Sequence, residues 1–373
     1  MNAALYKTIA AWVVGTTVLA AVAPAGADEG LESVWIVNTR RAPRSGSLRP
    51  AEDRITYWRL QADRRWQQLD AGVFHQEDEP SRPTTVFIHG NRTDRCDAVS
   101  AGWRVYRQMK RDASGKAFRL VIWSWPSDRI RGRTRQDLQV KACRSDVQAY
   151  YLADCLRRIR PDVPVGLVGY SFGARVITGT LHLLAGGHVA GRSLAQPAGE
   201  DANADGRQPR RRAVLLAAAL DADWLLPGHR NGLALSQVQR MLVTRNHSDP
   251  VLKWYPLMYR RGGPPALGYA GPAGCPSGED LDLLNLSCSV GRAHDFGRYM
   301  VSSSLRGRLA WYTFLLDDGS DGEQELPLQT ATEPRQDPLP QAAEEPEQVT
   351  ASPSAVGPVL SAPHGDRQLI THH

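Results

Sequence analysis

The chain has 373 residues, 42% of them hydrophobic and 23% charged, enough apolar side chain to bury a sizeable core and too much for disorder throughout. Its formal charge of +6 is uneven, because Asp317–His373 holds eleven acidic and two basic residues and leaves +15 on the preceding body. That surplus is arginine scattered without any nucleic-acid-binding motif, so a solvated face is expected and a nucleic-acid partner is not.

At the N-terminus, Lys7 precedes a 16-residue, mostly apolar run from Thr8 to Ala23, and Ala25, Gly26 and Ala27 then fit a small-residue cleavage site. The run is shorter than the roughly 20 residues that span a bilayer. Residues 1–27 therefore read as an export signal removed before Asp28, giving a periplasmic or extracellular protein. The alternative is an uncleaved segment that anchors the chain to a membrane. Export would place Cys96, Cys143, Cys155, Cys275 and Cys288 where disulfides persist. Cys275 with Cys288, clipping a Gly/Pro-rich loop, is the expected bridge. Cys143 and Cys155 lie on one expected helix about 18 Å apart and cannot pair.

From Ser33, "SVWIVNTR" and "ITYWRL" have the β-branched and aromatic content of an antiparallel strand pair. The pattern then changes to short continuous apolar runs: "TTVFIHG" (84–90), "FRLVIWSWP" (118–126), "VPVGLVGY" (163–170), "RAVLLAAAL" (212–220) and "QRMLVTRN" (239–246). Such runs suit strands buried on both faces. Between them Leu138, Ala142, Ser145, Ala149, Leu152, Leu156 and Ile159 recur at helical spacing, with small central members suited to close approach to a sheet. A second helix follows Ser171 and stops at Gly186 and Gly187. Alternating buried strands and amphipathic helices predict an α/β domain over 28–316, with a mostly parallel central sheet covered on both faces. The polar, breaker-rich stretch 186–211 reads as a surface insertion or a lid, and 317–373 as a disordered acidic, Pro-rich tail.

Chemistry concentrates where "VPVGLVGY" gives way to a helix. Gly169-Tyr170-Ser171-Phe172-Gly173 places a serine between glycines at a turn too tight for side chains two residues away, and so lifts Ser171 to the sheet edge. Alone, this is equally the pattern of a helix-capping serine. However, His89-Gly90-Asn91 closes an earlier strand at the same edge, where the Asn91 amide, or that of Arg92, can join the Phe172 amide as an oxyanion donor. His89 itself reads as a structural residue of that loop. Asp249, just past the run 239–246, is the expected acid, with Asp221 and Asp223 as rivals. His294, after the last strand-like run "LDLLNLSCSV", is the expected base, with His247 as rival. Trp123 and Trp125 read as core packing. Arg129, Arg131, Arg133 and Arg135 read as a solvated loop or a guide for anionic substrates.

Serine, aspartate, histidine is the chain order of an α/β-hydrolase triad. With the His-Gly-Asn loop, Trp125-Pro126-Ser127 and Gly-Tyr-Ser-Phe-Gly, the region Ser33–Leu316 resembles the serine-hydrolase branch of the α/β-hydrolase superfamily, and within it a bacterial esterase-like group. The resemblance implies an acyl-enzyme on Ser171 and a small-molecule or lipid ester as substrate. Acyl transfer with the same triad, or a hydrolase-like module that only binds, are the other readings. No His-Glu-x-x-His, paired Cys-x-x-Cys or Walker loop occurs, so neither metal nor cofactor is expected.

Overall fold

Each of the five continuous apolar runs forms a strand buried along nearly its whole length, as strands covered on both faces must be. The computed structural model describes residues 32–44, 54–130, 132, 134–195, 209–259, 262–274 and 280–316, all within one unit of the chain. The expected signal, Cys275, the centre of the insertion and the acidic tail lie outside the described residues, as do Arg131 and Arg133. No described helix is long and apolar enough to cross a membrane.

In chain order the elements are β1 (Glu32–Asn38), β2 (Thr56–Leu60), β3 (Trp66–Leu69), α1 (Ala71–Gln76), β4 (Thr84–Ile88), α2 (Arg95–Asp112), β5 (Phe118–Ser124) and α3 (Thr134–Leu156). They continue with β6 (Val165–Tyr170), α4 (Phe172–Leu184), β7 (Arg211–Leu216), β8 (Arg240–Arg245), α5 (Pro250–Lys253), α6 (Leu267–Ala270), β9 (Leu281–Asn285), α7 (Ser287–Val290), α8 (Phe296–Val301) and α9 (Ser303–Tyr312). The strands form one nine-stranded sheet in the order β3-β2-β1-β5-β4-β6-β7-β8-β9. From β1 to β9 every neighbouring pair is parallel. The expected antiparallel pair is β1 with β2, to which β3 adds a further antiparallel edge. The general α/β expectation therefore holds.

Connection direction sets the layers. From β4 the chain crosses through α2 to β5 on one side, whereas β5 through α3 to β6, and β6 through α4 to β7, run the other way. Right-handed crossovers then put α3 and α4 on one face and α2 on the opposite face. Accordingly α3 packs on α4, and α2 packs with α8 and α9. The direction reverses between β4 and β6, and the crevice beyond their C-terminal ends is where open α/β sheets bind ligands.

One local expectation is corrected. The small residues of α3 serve helix-to-helix approach: Ser145 Oγ accepts from Arg175 Nε at 3.2 Å and the Ala149 carbonyl from Thr180 Oγ1 at 3.1 Å, both donors on α4. The sheet side of α3 instead presents Gln148, whose Oε1 accepts from Trp123 Nε1 at 3.0 Å and Thr39 Oγ1 at 2.7 Å. Of the stretch 186–211, read as a surface insertion or a lid, 196–208 lie outside the described residues and only the flanks are placed. α4 starts beside Ser171 and its 13 residues carry the chain about 20 Å back toward the other sheet edge, so the flanks leave from the edge opposite the serine. There Arg157, just past α3, donates to the Ala195 carbonyl at 3.0 Å. Cys143 and Cys155 do not pair with each other, as expected, and both are free; Cys288 is free and exposed, its expected partner Cys275 lying outside the described residues.

A charge on β5 sits in the core. Arg119 on β5 is fully buried, yet its guanidinium meets Asp78 at 2.5 Å, Thr84 Oγ1 at 2.9 Å and the Phe74 carbonyl at 2.8 Å. Those bonds satisfy the buried cation and tie the start of the sheet to the loop after α1.

Candidate active site

Ser171 terminates β6 in a conformation that L-residues avoid, with φ 53° and ψ −113°. Backbone bonds hold it there: its N–H donates to the Leu216 carbonyl at 2.8 Å, and its carbonyl accepts from Ala174 at 3.1 Å and Ala219 at 3.3 Å. The flanking glycines have the steric role read from the sequence. A Cβ on Gly169 would lie 2.8 Å from the Gly173 carbonyl carbon, and one on Gly173 only 2.1 Å from the Ile88 carbonyl oxygen. Backbone cannot yield cheaply at 2.1 Å, so Gly173→Ala should cost about 3 kcal/mol or more. A urea midpoint unchanged from the parent would contradict this account of the turn.

Asp249 follows β8 as expected and is fully buried. It caps α5, its Oδ1 accepting from Val251 N at 2.9 Å and Leu252 N at 3.2 Å. Its other oxygen lies 2.7 Å from His294 Nδ1, and His294 Nε2 lies 3.0 Å from Ser171 Oγ. An ionised carboxylate only accepts, so Nδ1 carries the ring proton and the Nε2 lone pair faces the serine hydroxyl. Three side chains from distant sequence positions thus form one hydrogen-bonded chain at the crevice between β4 and β6.

The rival residues have other partners. Asp221 Oδ1 accepts from the Tyr255 and Tyr259 hydroxyls at 2.6 and 2.5 Å, and Asp223 meets His229 at 3.2 Å. His247 Nδ1 is 2.6 Å from Ser287 Oγ, which itself donates to Asn285 Oδ1 at 2.7 Å. The His247 ring is therefore a donor there, and it pins the loop bearing Asp249 to the segment leading to His294. Asn246 adds a second tie, donating to the Gly291 carbonyl at 2.9 Å.

The loop after β4 is locked by the one after β5. His89 Nε2 accepts from the Trp125 amide at 3.2 Å, so Nδ1 carries the proton and donates to the Gly90 carbonyl at 3.0 Å. Trp125 Nε1 donates to the His89 carbonyl at 2.9 Å and its ring stacks on the imidazole at 5.6 Å. Ser127 Oγ donates to the Thr93 carbonyl at 3.0 Å. Both Trp123 and Trp125 are buried core residues. His89 is therefore structural, and burial, with the Arg40 guanidinium adding to it, lowers its pKa to about 3.

Such a depressed imidazole makes stability depend on pH. The unfolded chain binds a proton at His89 below the ordinary value of 6.5 while the folded chain binds none until about 3. This contribution is complete above pH 6.5 and is lost between 6.5 and 3, at a limiting slope of about 1.4 kcal/mol per pH unit. Urea unfolding across that window should show a shallower pH dependence in His89→Gln than in the parent; equal slopes would contradict the assignment.

Of the proposed oxyanion donors, Phe172 N opens α4, where a helix leaves its first amides without intrahelical acceptors and its dipole favours negative charge. In the other loop the Arg92 amide donates to Asn91 Oδ1 at 2.8 Å, whereas Asn91 N has no acceptor among the described residues. The free amide of the two is thus that of Asn91. Arg92, at φ 55°, is tethered through Nε to Asp137 Oδ2 at 2.9 Å. Lys141 holds the other oxygen of Asp137 at 2.8 Å. Arg40 ties the Ser124 hydroxyl at 2.9 Å, the Thr93 carbonyl at 3.1 Å and Asp128 at 2.7 Å. Two further groups were not foreseen. The Tyr170 ring lies 5.3 Å from that of His294, and the Tyr299 hydroxyl is 3.5 Å from Asp249 Oδ2. Burial and the Asp249 carboxylate raise the Tyr299 pKa, keeping the phenol protonated.

No family model matches this chain, and no curated protein matches it.

Proposed function

We propose that this protein is a serine hydrolase of the α/β-hydrolase fold that cleaves carboxylic esters through an acyl-enzyme on Ser171. The observation that carries the reading is the continuous contact from Asp249 through His294 to Ser171, 2.7 and 3.0 Å, ending on a serine of strained backbone. The strand order supports it, because the site lies at the reversal between β4 and β6.

In the first half-reaction Ser171 Oγ attacks the ester carbonyl carbon as His294 Nε2 takes the hydroxyl proton. Asp249 holds the imidazole by Nδ1 and stabilises the cation that forms. The negative oxygen of the tetrahedral intermediate lies toward the Asn91 and Phe172 amides, each such donor being worth about 2.7 to 4 kcal/mol of barrier. Collapse breaks the bond to the alkoxy oxygen, which leaves with the proton from Nε2. In the second half-reaction Nε2 deprotonates water as its oxygen adds to the acyl carbon, and collapse then breaks the bond to Ser171 Oγ, which takes the proton back from Nε2 as the carboxylic acid leaves.

A fluorophosphonate probe tests the site directly. The reading expects one covalent adduct, on Ser171, together with turnover of at least one member of an ester panel of varied acyl length. An unlabelled Ser171 with no ester turned over would favour a binding module, and labelling with acyl transfer in place of hydrolysis would favour the acyltransferase. Export with removal of residues 1–27 is part of the same reading, and N-terminal sequencing of the secreted protein should begin at Asp28.

A further inference from the structure

The segment Val251–Met258, "VLKWYPLM", begins two residues past Asp249, and Lys253 is its one residue that is neither apolar nor aromatic. It runs from α5 into a 3₁₀ turn, Tyr255–Met258, so side chains three apart stay on one side. One row faces the core: Leu252, Tyr255 and Met258 are 1, 4 and 7% exposed. The other row, Val251, Trp254 and Leu257, is 54, 62 and 60% exposed and supplies half of the exposed large hydrophobic residues in the described chain. A helical segment apolar on all sides is ordinarily covered on all sides, and contiguous exposed apolar surface marks a contact.

The outward row cannot turn inward, because the inner face is fastened. Tyr255 OH donates to Asp221 at 2.6 Å and accepts from Arg175 at 3.1 Å, and the Met258 carbonyl accepts from Gln139 at 3.2 Å and Arg135 at 3.4 Å.

Charge indicates what covers this row. Lys253 Nζ lies 5.8 Å from the Trp254 ring, and Arg135, which reaches the Met258 carbonyl, is exposed. Arg292, two residues before His294, is exposed as well. An apolar row carrying a tryptophan and bordered by long cationic side chains is the composition that seats at an anionic bilayer surface. A second copy docked through the same face by two-fold symmetry would set one cationic face against another.

We propose that Val251, Trp254 and Leu257, with Lys253 and Arg135, form a docking surface for anionic phospholipid bilayers. Membrane lipid esters are then the substrate class brought to Ser171, and that second clause rests on the hydrolase reading above.

The test uses the full chain carrying Ser171→Ala, so that no lipid is consumed, in flotation with phosphatidylglycerol or phosphatidylcholine vesicles. Phosphatidylglycerol vesicles should bind more tightly and release the protein as salt rises. Adding Trp254→Ser and Leu257→Ser should lower the partition about a hundredfold without moving the thermal unfolding midpoint, and Lys253→Glu should remove the preference for phosphatidylglycerol. Equal binding by the serine pair would overturn the proposal, because the apolar run 8–23 or diffuse charge would then account for attachment. So would a dimer that the same pair converts to monomer, or no binding at all. In a separate arm, the pair in the Ser171 background should hydrolyse a soluble short-chain ester at the parental rate. If the parent turns over no soluble ester, the hydrolase reading fails while flotation still judges the docking surface.

Discussion

Ser171→Ala is expected to lower kcat for a carboxylic ester by about a millionfold and to leave the protein folded. The substitution removes one oxygen, and with it the nucleophile and the 3.0 Å contact to His294. The backbone bonds of residue 171 to Leu216, Ala174 and Ala219 survive, and alanine meets the same steric cost at φ 53° as serine. The residual rate should be that of the two oxyanion amides acting on water, about a thousandfold above the uncatalysed reaction. Undiminished turnover by a folded Ser171→Ala would remove Ser171 from the chemistry, and with it the proposed acyl-enzyme.

The second large effect is expected from Asp249→Asn, about ten-thousandfold in kcat. Asparagine keeps the shape and keeps an oxygen to accept from Val251 N and Leu252 N, so the cap of α5 persists. Its amide nitrogen, placed where Oδ2 now meets His294 Nδ1, donates and so demands a bare Nδ1. The ring proton must then sit on Nε2, facing Ser171 as a second donor instead of an acceptor. The damage is one of tautomer, with geometry retained. Activity assays paired with thermal unfolding separate the two: a large loss of kcat at an unchanged midpoint is expected, and a parental kcat would leave Asp249 as a helix cap alone.

The strands were legible because burial on both faces demands continuous apolar runs, and 84–90, 118–126, 163–170 and 239–246 each contain one. β3, "WQQL", carries no such signal, because an edge strand of four residues needs no apolar continuity. α2 shows only a weak apolar stripe, because its inward face is made of Ala98, Gly102, Val105, Gln108 and Met109, two of them carrying no large apolar group and one polar. Arg119 shows the limit most plainly, since nothing local marks an arginine inside an apolar run as the partner of Asp78, 41 residues away.

For the site, Ser171, Asp249 and His294 stood out because each follows a strand-like run. The ties that hold their loops did not, because they join residues with no sequence relation: Arg92 with Asp137, Arg40 with Thr93 and Asp128, Tyr299 with Asp249. The small residues of α3 were recognised as marking close approach, but spacing alone cannot say whether a sheet or a helix comes near.

The cross-bonding of His89 and Thr93 with Trp125 and Ser127 has a consequence for how this scaffold can vary. The two turns form a single cross-bonded corner, so lengthening either one would displace the Asn91 amide. Variation is left to segments outside that corner, foremost 250–258, where the exposed side chains of Val251, Trp254 and Leu257 can change while Ser171, Asp249 and His294 stay in register.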